Sequence, residues 1–382
     1  MRHTKEITCK PNSRMQPKTH INNTYEVLSH ICKEYLKRRF FHSIANEHIH
    51  VQEDFNWANL LSQARIHGVR PIVLAGSDFI NMPKNYKDKL VAQCKHIAFN
   101  NFNIYQEGQK LSLFLHNNQV DHEHLKGVHL AQRVFGEVGM REMSDIDILL
   151  HRKDFSILRD FLLSQGYVPE VPFPMRWMSW YMYNNCEYNF DKYEENKRSY
   201  HIEPHWFLGT RVTQSNISLS ELQSYWKSDK STMPPEILLI TVCVHHGGDM
   251  CRRLKQIVDV YSIIGKYKEQ FNWDKLWHIT KDLKVTNLVL FCIDQTRREL
   301  ELDIPHHVSE LIHRRISYQL SLASNKQRAR SISQDKKLRY HLDRFQFMLR
   351  VRENWITKLS IVINIFVYYV MFRLFISKGT SS

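Results

Sequence analysis

Acidic residues are the scarce charge in this chain: 39 Asp and Glu stand against 53 Lys and Arg, a formal net charge of +14. That deficit directs the surface field at polyanions, of which nucleoside triphosphate, nucleic acid and an anionic membrane face all qualify. Cysteine is thinly spread. The seven residues, Cys9, Cys32, Cys94, Cys186, Cys243, Cys251 and Cys292, form no CxxC pair and are odd in number. The pattern argues against a disulfide framework and a zinc ribbon, and a reducing cytosol suits it. Met1 to Asn23 lacks any apolar stretch that could act as a secretory signal, so a polar leader is expected there. No run is long enough to span a bilayer, which takes about 20 apolar residues. The nearest is Leu359 to Phe372, 14 residues interrupted at Arg373. A buried terminal helix is the first expectation for it. The alternative is peripheral contact of residues 351–378 with the inner face of a membrane, because Lys358, Arg373 and Lys378 flank the run. No repeat of fixed period occurs. An apolar fraction of 43% with 24% charged residues excludes a disordered chain.

What is present begins with helices. Thr24 to Phe41 places Val27, Ile31, Tyr35 and Leu36 at helical spacing, and Trp57 to His67 repeats the pattern up to Gly68. Val69 to Phe79 reads as irregular because of Pro71 and Gly76. Lys87 to Asn117 holds one long helix or two. The middle changes character. His122 to Leu125 leads into Lys126-Gly127, Val128 to Phe135 reads as a helix, and Gly136 to Ser144 as a loop. Asp145 to Leu150 then reads as a strand, Lys153 to Gln165 as an amphipathic helix ended by Gly166, and Tyr200 to Phe207 as a further strand. Beyond Ser218 the pattern is helical again, with helices through Ile237 to His246 and Leu254 to Tyr267. The chain therefore reads as α+β: a leader (1–23), a helical region (24–117), a small mixed core (118–215), a second helical region (216–350) and an apolar C-terminal segment (351–382). The basic run Asn325 to Arg339 has no interleaved aromatic platform and reads as a solvated loop and helix, so nucleic acid is not an expected partner.

Chemistry concentrates at Asp145-Ile146-Asp147. Residues two apart on a strand point to one face, so the two carboxylates lie side by side, roughly 6–7 Å apart at Cα. Like charges that close need a cation or a proton between them. Hard oxygen ligands suit Mg²⁺, with Mn²⁺ as a substitute, and Mg²⁺ commonly completes its shell with substrate phosphates. The motif alone is common, and its bland reading is a strand with two exposed acids. Its surroundings narrow the choice. Lys126-Gly127 opens a helix whose backbone N–H groups can hold phosphate oxygens, and Lys126 and Arg141 are candidate phosphate partners. Glu203, in His201-Ile202-Glu203-Pro204-His205-Trp206, is a candidate third acid across the sheet. His205 would contact phosphate or orient a carboxylate. A His201/Glu203/His205 metal site is the rival, ranked lower because zinc prefers more nitrogen or sulfur than this segment offers. His245-His246-Gly247-Gly248-Asp249 resembles a phosphohydrolase pair, but helix-end packing is the expected role of both histidines. Asp259, inside an apolar helix, should pair with a base, with Arg253 and Lys255 as candidates. Aromatic-rich Val171 to Tyr183 either lines an acceptor cleft or packs against the helical region.

Taken in order, Lys126-Gly127-Val128-His129-Leu130-Ala131 and then Gly139-Met140-Arg141-Glu142-Met143-Ser144-Asp145-Ile146-Asp147-Ile148-Leu149 resemble the signature of the uncharacterised bacterial nucleotidyltransferase family, within the DNA polymerase β-like superfamily. Trp57 to Pro71, Gly166-Tyr167, Ile202 to Trp206 and Leu254 to Ile264 extend the likeness over roughly residues 25 to 350. The resemblance implies a nucleotidyltransferase palm flanked by helices, Mg²⁺ dependence, and transfer of a nucleotidyl group from an NTP such as ATP to an unidentified acceptor. By position it implies Asp145, Asp147 and Glu203 as metal ligands, and Lys126, Gly127, Arg141 and His205 on the nucleotide side. Members often lie beside genes for polysaccharide or peptide-product synthesis, which implies a sugar or peptide acceptor. The turn departs from the superfamily's Gly-Ser or Gly-Gly, since only Gly127 remains. The competing reading is accordingly a relative that binds a nucleotide or a membrane partner without turnover.

Overall fold

The computed structural model describes residues 23–42, 48–170, 177–210, 215–226, 232–316, 337–352 and 355–379, with residues 337–338, 368–369 and 371–379 as backbone alone. The leader, residues 171–176 and most of the basic run 325–339 lie outside the described residues.

The N-terminal helices stop and start where side chains satisfy free backbone groups. Asn23 accepts from Tyr25 N at the head of α1 (Thr24–Phe41), and Asn56 accepts from Asn59 N at the head of α2 (Trp57–His67). Gly68 takes φ +68 and closes α2. The stretch after Gly68 is a helix, α3 (Arg70–Ala75), not an irregular loop. Pro71 lies in its first turn, where a missing N–H removes no helical bond. Next comes α4 (Lys84–Asn117), one unbroken helix of 34 residues and about 51 Å.

A five-stranded sheet follows, built from β1 (His122–His124), β2 (Ile146–Leu150), β3 (Val168–Pro169), β4 (Phe190–Glu194) and β5 (Lys197–His205), in the order β1-β2-β5-β4-β3. Only the central β2–β5 pair is parallel. β4 escapes sequence reading because its hairpin turn, Glu195-Asn196, carries no glycine. Both residues nonetheless adopt positive φ, as a two-residue hairpin demands. Pairing with β4 also starts β5 at Lys197 rather than Tyr200. Helices α5 (Gly127–Phe135), α6 (Phe155–Ser164) and α7 (Met178–Asn184) complete this unit. Its core joins Ile146, Ile148, Phe155, Tyr188, Phe190 and Trp206. Trp206 donates its indole N–H to the carbonyls of Met182 and Asn185, so α7 packs against the sheet and not against the helical region.

The larger core is helical. It joins α1 to α3 with α9 (Pro235–Gly248), α10 (Leu254–Tyr267) and α12 (Thr286–Leu300). α8 (Leu219–Gln223), α11 (Trp273–Asp282), α13 (His306–Arg315) and a penultimate helix, Lys337–Val351, surround it. The protein is thus an α+β molecule with a palm-like mixed sheet set among helices. The terminal helix, Trp355–Gly379, corrects the expectation of burial: Ile361 is buried, but Trp355, Ile356, Ile363 and Phe366 are each more than half exposed. Among the described residues no helix is long and apolar enough to cross a membrane.

Candidate active site

The parallel pairing of β2 with β5 sets Asp147 directly beside Glu203, with Leu149 beside His205. Alternation along β5 then turns His201, Glu203 and His205 to the face that Asp147 occupies. One ligand atom from each of Asp147, Glu203 and His205 lies within 4.8 Å of the others. Asp147 is 2% exposed, and its Oδ2 is buried without a hydrogen-bond donor. Asp145 precedes the strand, is more exposed, and lies outside that group of three. His201 and His205 grip Glu203 from either side, His201 Nε2 at 3.1 Å from Oε1 and His205 Nε2 at 3.6 Å from Oε2. Burial alone would raise the Glu203 pKa, but hydrogen bonds from the two histidines outweigh it and hold the carboxyl well below its usual range. Glu203 is therefore held as a carboxylate. His201 is drawn up to about 9, first by Glu203 and, against burial, by Asp191, whose Oδ1 lies 2.7 Å from Nδ1. The histidines of this strand thus serve the carboxylate and do not form a set of three ligands with it.

Lys126 reaches the same place from the sheet's edge. Its Nζ lies 3.0 Å from Asp147 Oδ1, 3.7 Å from Asp145 Oδ2 and 2.9 Å from His245 Nε2. Burial opposes the ammonium, yet Asp147, Asp145 and Glu203 together raise its pKa, so it is charged. His245 is driven well below its ordinary value, by burial first and then by Lys126, and as a neutral ring its Nε2 accepts a hydrogen bond from the ammonium. Gly127 follows at φ +73, and a Cβ there would stand 3.4 Å from the Asp145 carbonyl oxygen. A positive φ at the head of α5 is a backbone conformation that favours glycine at this position.

Arg141 does not face this cluster. It is buried, and its Nε and Nη2 donate to both oxygens of Asp259 at 2.9–3.1 Å. Neither Arg253 nor Lys255 is the base that sequence reasoning assigned to Asp259. His246 Nε2 also lies 2.7 Å from Asp259 Oδ2. Successive helical residues diverge by about 100°, so His245 points to Lys126 while His246 points to Asp259. Asn101 holds the Val138 and Arg141 carbonyls, and Arg70 holds Glu142. The loop that delivers Asp145 is therefore pinned on three sides.

Three participants had no recognisable sequence signal. Asp191 lies on the unread strand β4. Cys186 and Glu187 reach His205 through a single antiparallel bridge, Glu187 opposite His205. His245 had a motif, but of the wrong kind. A cavity of about 370 Å³ opens beside the cluster between the sheet unit and the helices, walled by Glu187, Thr210, His245, Asp249, Tyr340 and Arg344 among others. In comparison with known proteins, the family model described as uncharacterised nucleotidyltransferase matches residues 53–300. Neither a curated protein nor a solved structure matches the chain.

Proposed function

The chain belongs to the uncharacterised nucleotidyltransferase family, and from that premise we propose that it moves a nucleotidyl group from an NTP to an acceptor hydroxyl with the help of a divalent cation. The observation that carries this reading is the register of β2 against β5, which aligns Asp147 with Glu203 and leaves Asp147 Oδ2 buried and unpaired. Two carboxylates, one with an unpaired oxygen, beside the His205 nitrogen fit Mg²⁺ or Mn²⁺. Asp147 and Glu203 would hold it, with Asp145 joining from the mouth of the strand. When bound, such an ion lowers the charge on the phosphates and favours attack at phosphorus.

The chain's own groups account for the rest. The acceptor oxygen bonds to the α-phosphorus, the bond to the bridging oxygen breaks, pyrophosphate leaves and the hydroxyl proton passes to water. Lys126 would shift from the Asp pair to a triphosphate oxygen, with neutral His245 accepting a hydrogen bond from the ammonium. His205 keeps Asp147 and Glu203 oriented, a role closer to positioning than to phosphate contact. Arg141 is committed to Asp259, so its contribution is to hold the Asp145 loop. The cavity between sheet and helices is the natural place for the acceptor, since His245 and Glu187 belong both to its wall and to the cluster. Asp145→Asn combined with Asp147→Asn should abolish cation-dependent release of pyrophosphate from labelled NTPs. Undiminished release by the folded double variant would overturn the assignment.

The exposed terminal helix supports a separate proposal, peripheral contact with an anionic membrane surface. Its apolar side chains face outward on several sides, and the chain carries a formal charge of +14. The full chain should pellet with vesicles containing phosphatidylserine, and a chain ending at residue 352 should remain in the supernatant. Equal pelleting of the two would refute the contact.

A further inference from the structure

His205 has two ring nitrogens, and only one faces the carboxylate cluster. Nε2 lies 3.3 Å from Asp147 Oδ1. Nδ1 points the other way, into a buried corner where Glu187 Oε2 lies 3.2 Å from it and Cys186 is a further neighbour. Cys186 Sγ lies 3.6 Å from the same Glu187 oxygen. One donor atom each from Cys186, Glu187 and His205 falls within a 4.8 Å group. Sulfur, imidazole nitrogen and a single carboxylate oxygen form a set suited to a borderline-soft ion and unlike the hard-oxygen group across the ring.

We propose that Cys186, Glu187 and His205 form a second metal site, for a zinc-type divalent cation, that shares His205 with the carboxylate cluster. Nδ1, which faces Glu187 and Cys186, supplies the nitrogen ligand once its proton is displaced by the ion. Nε2–H then donates to Asp147, the carboxylate–histidine–metal arrangement that fixes a ring's orientation and tautomer. Cys186 and Glu187 also line the 370 Å³ cavity, so three protein ligands leave a coordination position for a water or an oxygen of a bound molecule. Backbone geometry explains why the ligands meet. The Glu187–His205 bridge brings the two side chains opposite each other, and Trp206 N and Phe207 N both donate to the Cys186 carbonyl, which fixes the Cys186 backbone beside them. The earlier objection to zinc, too few nitrogen and sulfur donors along β5, is met by a cysteine 19 residues upstream of His205.

The site does not depend on nucleotidyl transfer, and its test reads metal directly. The full chain, freed of metal by a chelator and titrated with Co²⁺, should bind an ion that shows thiolate-to-cobalt charge-transfer absorption. Cys186→Ser should remove that absorption. Glu187→Gln, which keeps the thiolate and the size of the side chain, should weaken cobalt and zinc binding about 10-fold or more in a chain of unchanged circular dichroism. Asp147→Asn should leave the thiolate band in place. Binding without a thiolate band, a band that survives Cys186→Ser, or binding lost only in Asp147→Asn would each place the ion elsewhere and overturn the proposal.

Discussion

Lys126 concentrates the residue-scale question, because one ammonium touches both aspartates and His245. It neutralises a carboxylate pair that would otherwise repel, which is the task an incoming cation would take over. Lys126→Gln should therefore tighten Mg²⁺ or Mn²⁺ binding several-fold, measured by titration calorimetry, while lowering the turnover of NTP. Unchanged cation affinity in that variant would show that the ammonium does not compete for the site. Arg141 is the contrasting case. Four polar contacts within the Arg141–Asp259–His246 cluster are satisfied inside the protein. Removing one partner leaves a buried charge unpaired, so Arg141→Met should cost about 3–5 kcal/mol in urea unfolding. Arg141→Met with Asp259→Leu should recover much of that loss. Additive losses in the double variant would contradict the account.

At the scale of elements, β1, α4 and α5 meet through stacked imidazoles. The His124 and His129 rings lie 3.4 Å apart and nearly parallel, and His124 Nε2 lies 2.7 Å from Ser112 Oγ. Gly108 permits this approach, since a Cβ there would stand 2.8 Å from His129 Nε2. Burial, and then His122, lowers His129 to about 4, and burial with both neighbouring rings holds His124 well below its ordinary value. Between the ordinary histidine value of 6.5 and about 4, the unfolded chain binds more protons than the folded one. The stability that the neutral pair contributes is fully present above that window and is lost as pH falls through it. Thermal melts of the wild type should drop more steeply from pH 7.5 to 4.5 than those of His129→Gln. Parallel pH profiles would exclude the stacked pair as the cause.

Across the whole molecule, two cores of different kinds hold the cluster between them. The sheet unit supplies Asp145, Asp147, Glu203 and His205, whereas α9 of the helical core supplies His245, and through His246 and Asp259 anchors the Arg141 loop. The helices thus contribute a side chain to the cluster as well as supporting it. The terminal helix stands apart from this arrangement, and its exposed apolar side chains make the vesicle experiment a question about the whole chain rather than about the site.

How much of this was legible follows from range. Helical periodicity and caps are local, so α1, α2, α5 and α10 could be read within a residue or so of their ends. The Asp145-Ile146-Asp147 spacing is local too, and with Glu203 it marked the acidic side of the cluster. β4 was hidden because a Glu-Asn turn gives no glycine signal, and without β4 the partner of His201 was invisible. Arg141 looked like a phosphate partner because it lies four residues from Asp145, but the chain between them turns it toward Asp259, 118 residues away. The Lys126–His245 contact and the Glu187–His205 bridge likewise join residues whose separation in sequence carries no pattern. The sequence by itself determined which stretches are helical and which acids gather near one strand, since both follow from local pattern, although Asp145 precedes the strand rather than sharing its face with Asp147. Only the tertiary structure decided which cation meets those carboxylates, which acids flank the two nitrogens of His205, and which arginine is spent on the core, because those pairings depend on how sheet and helices pack.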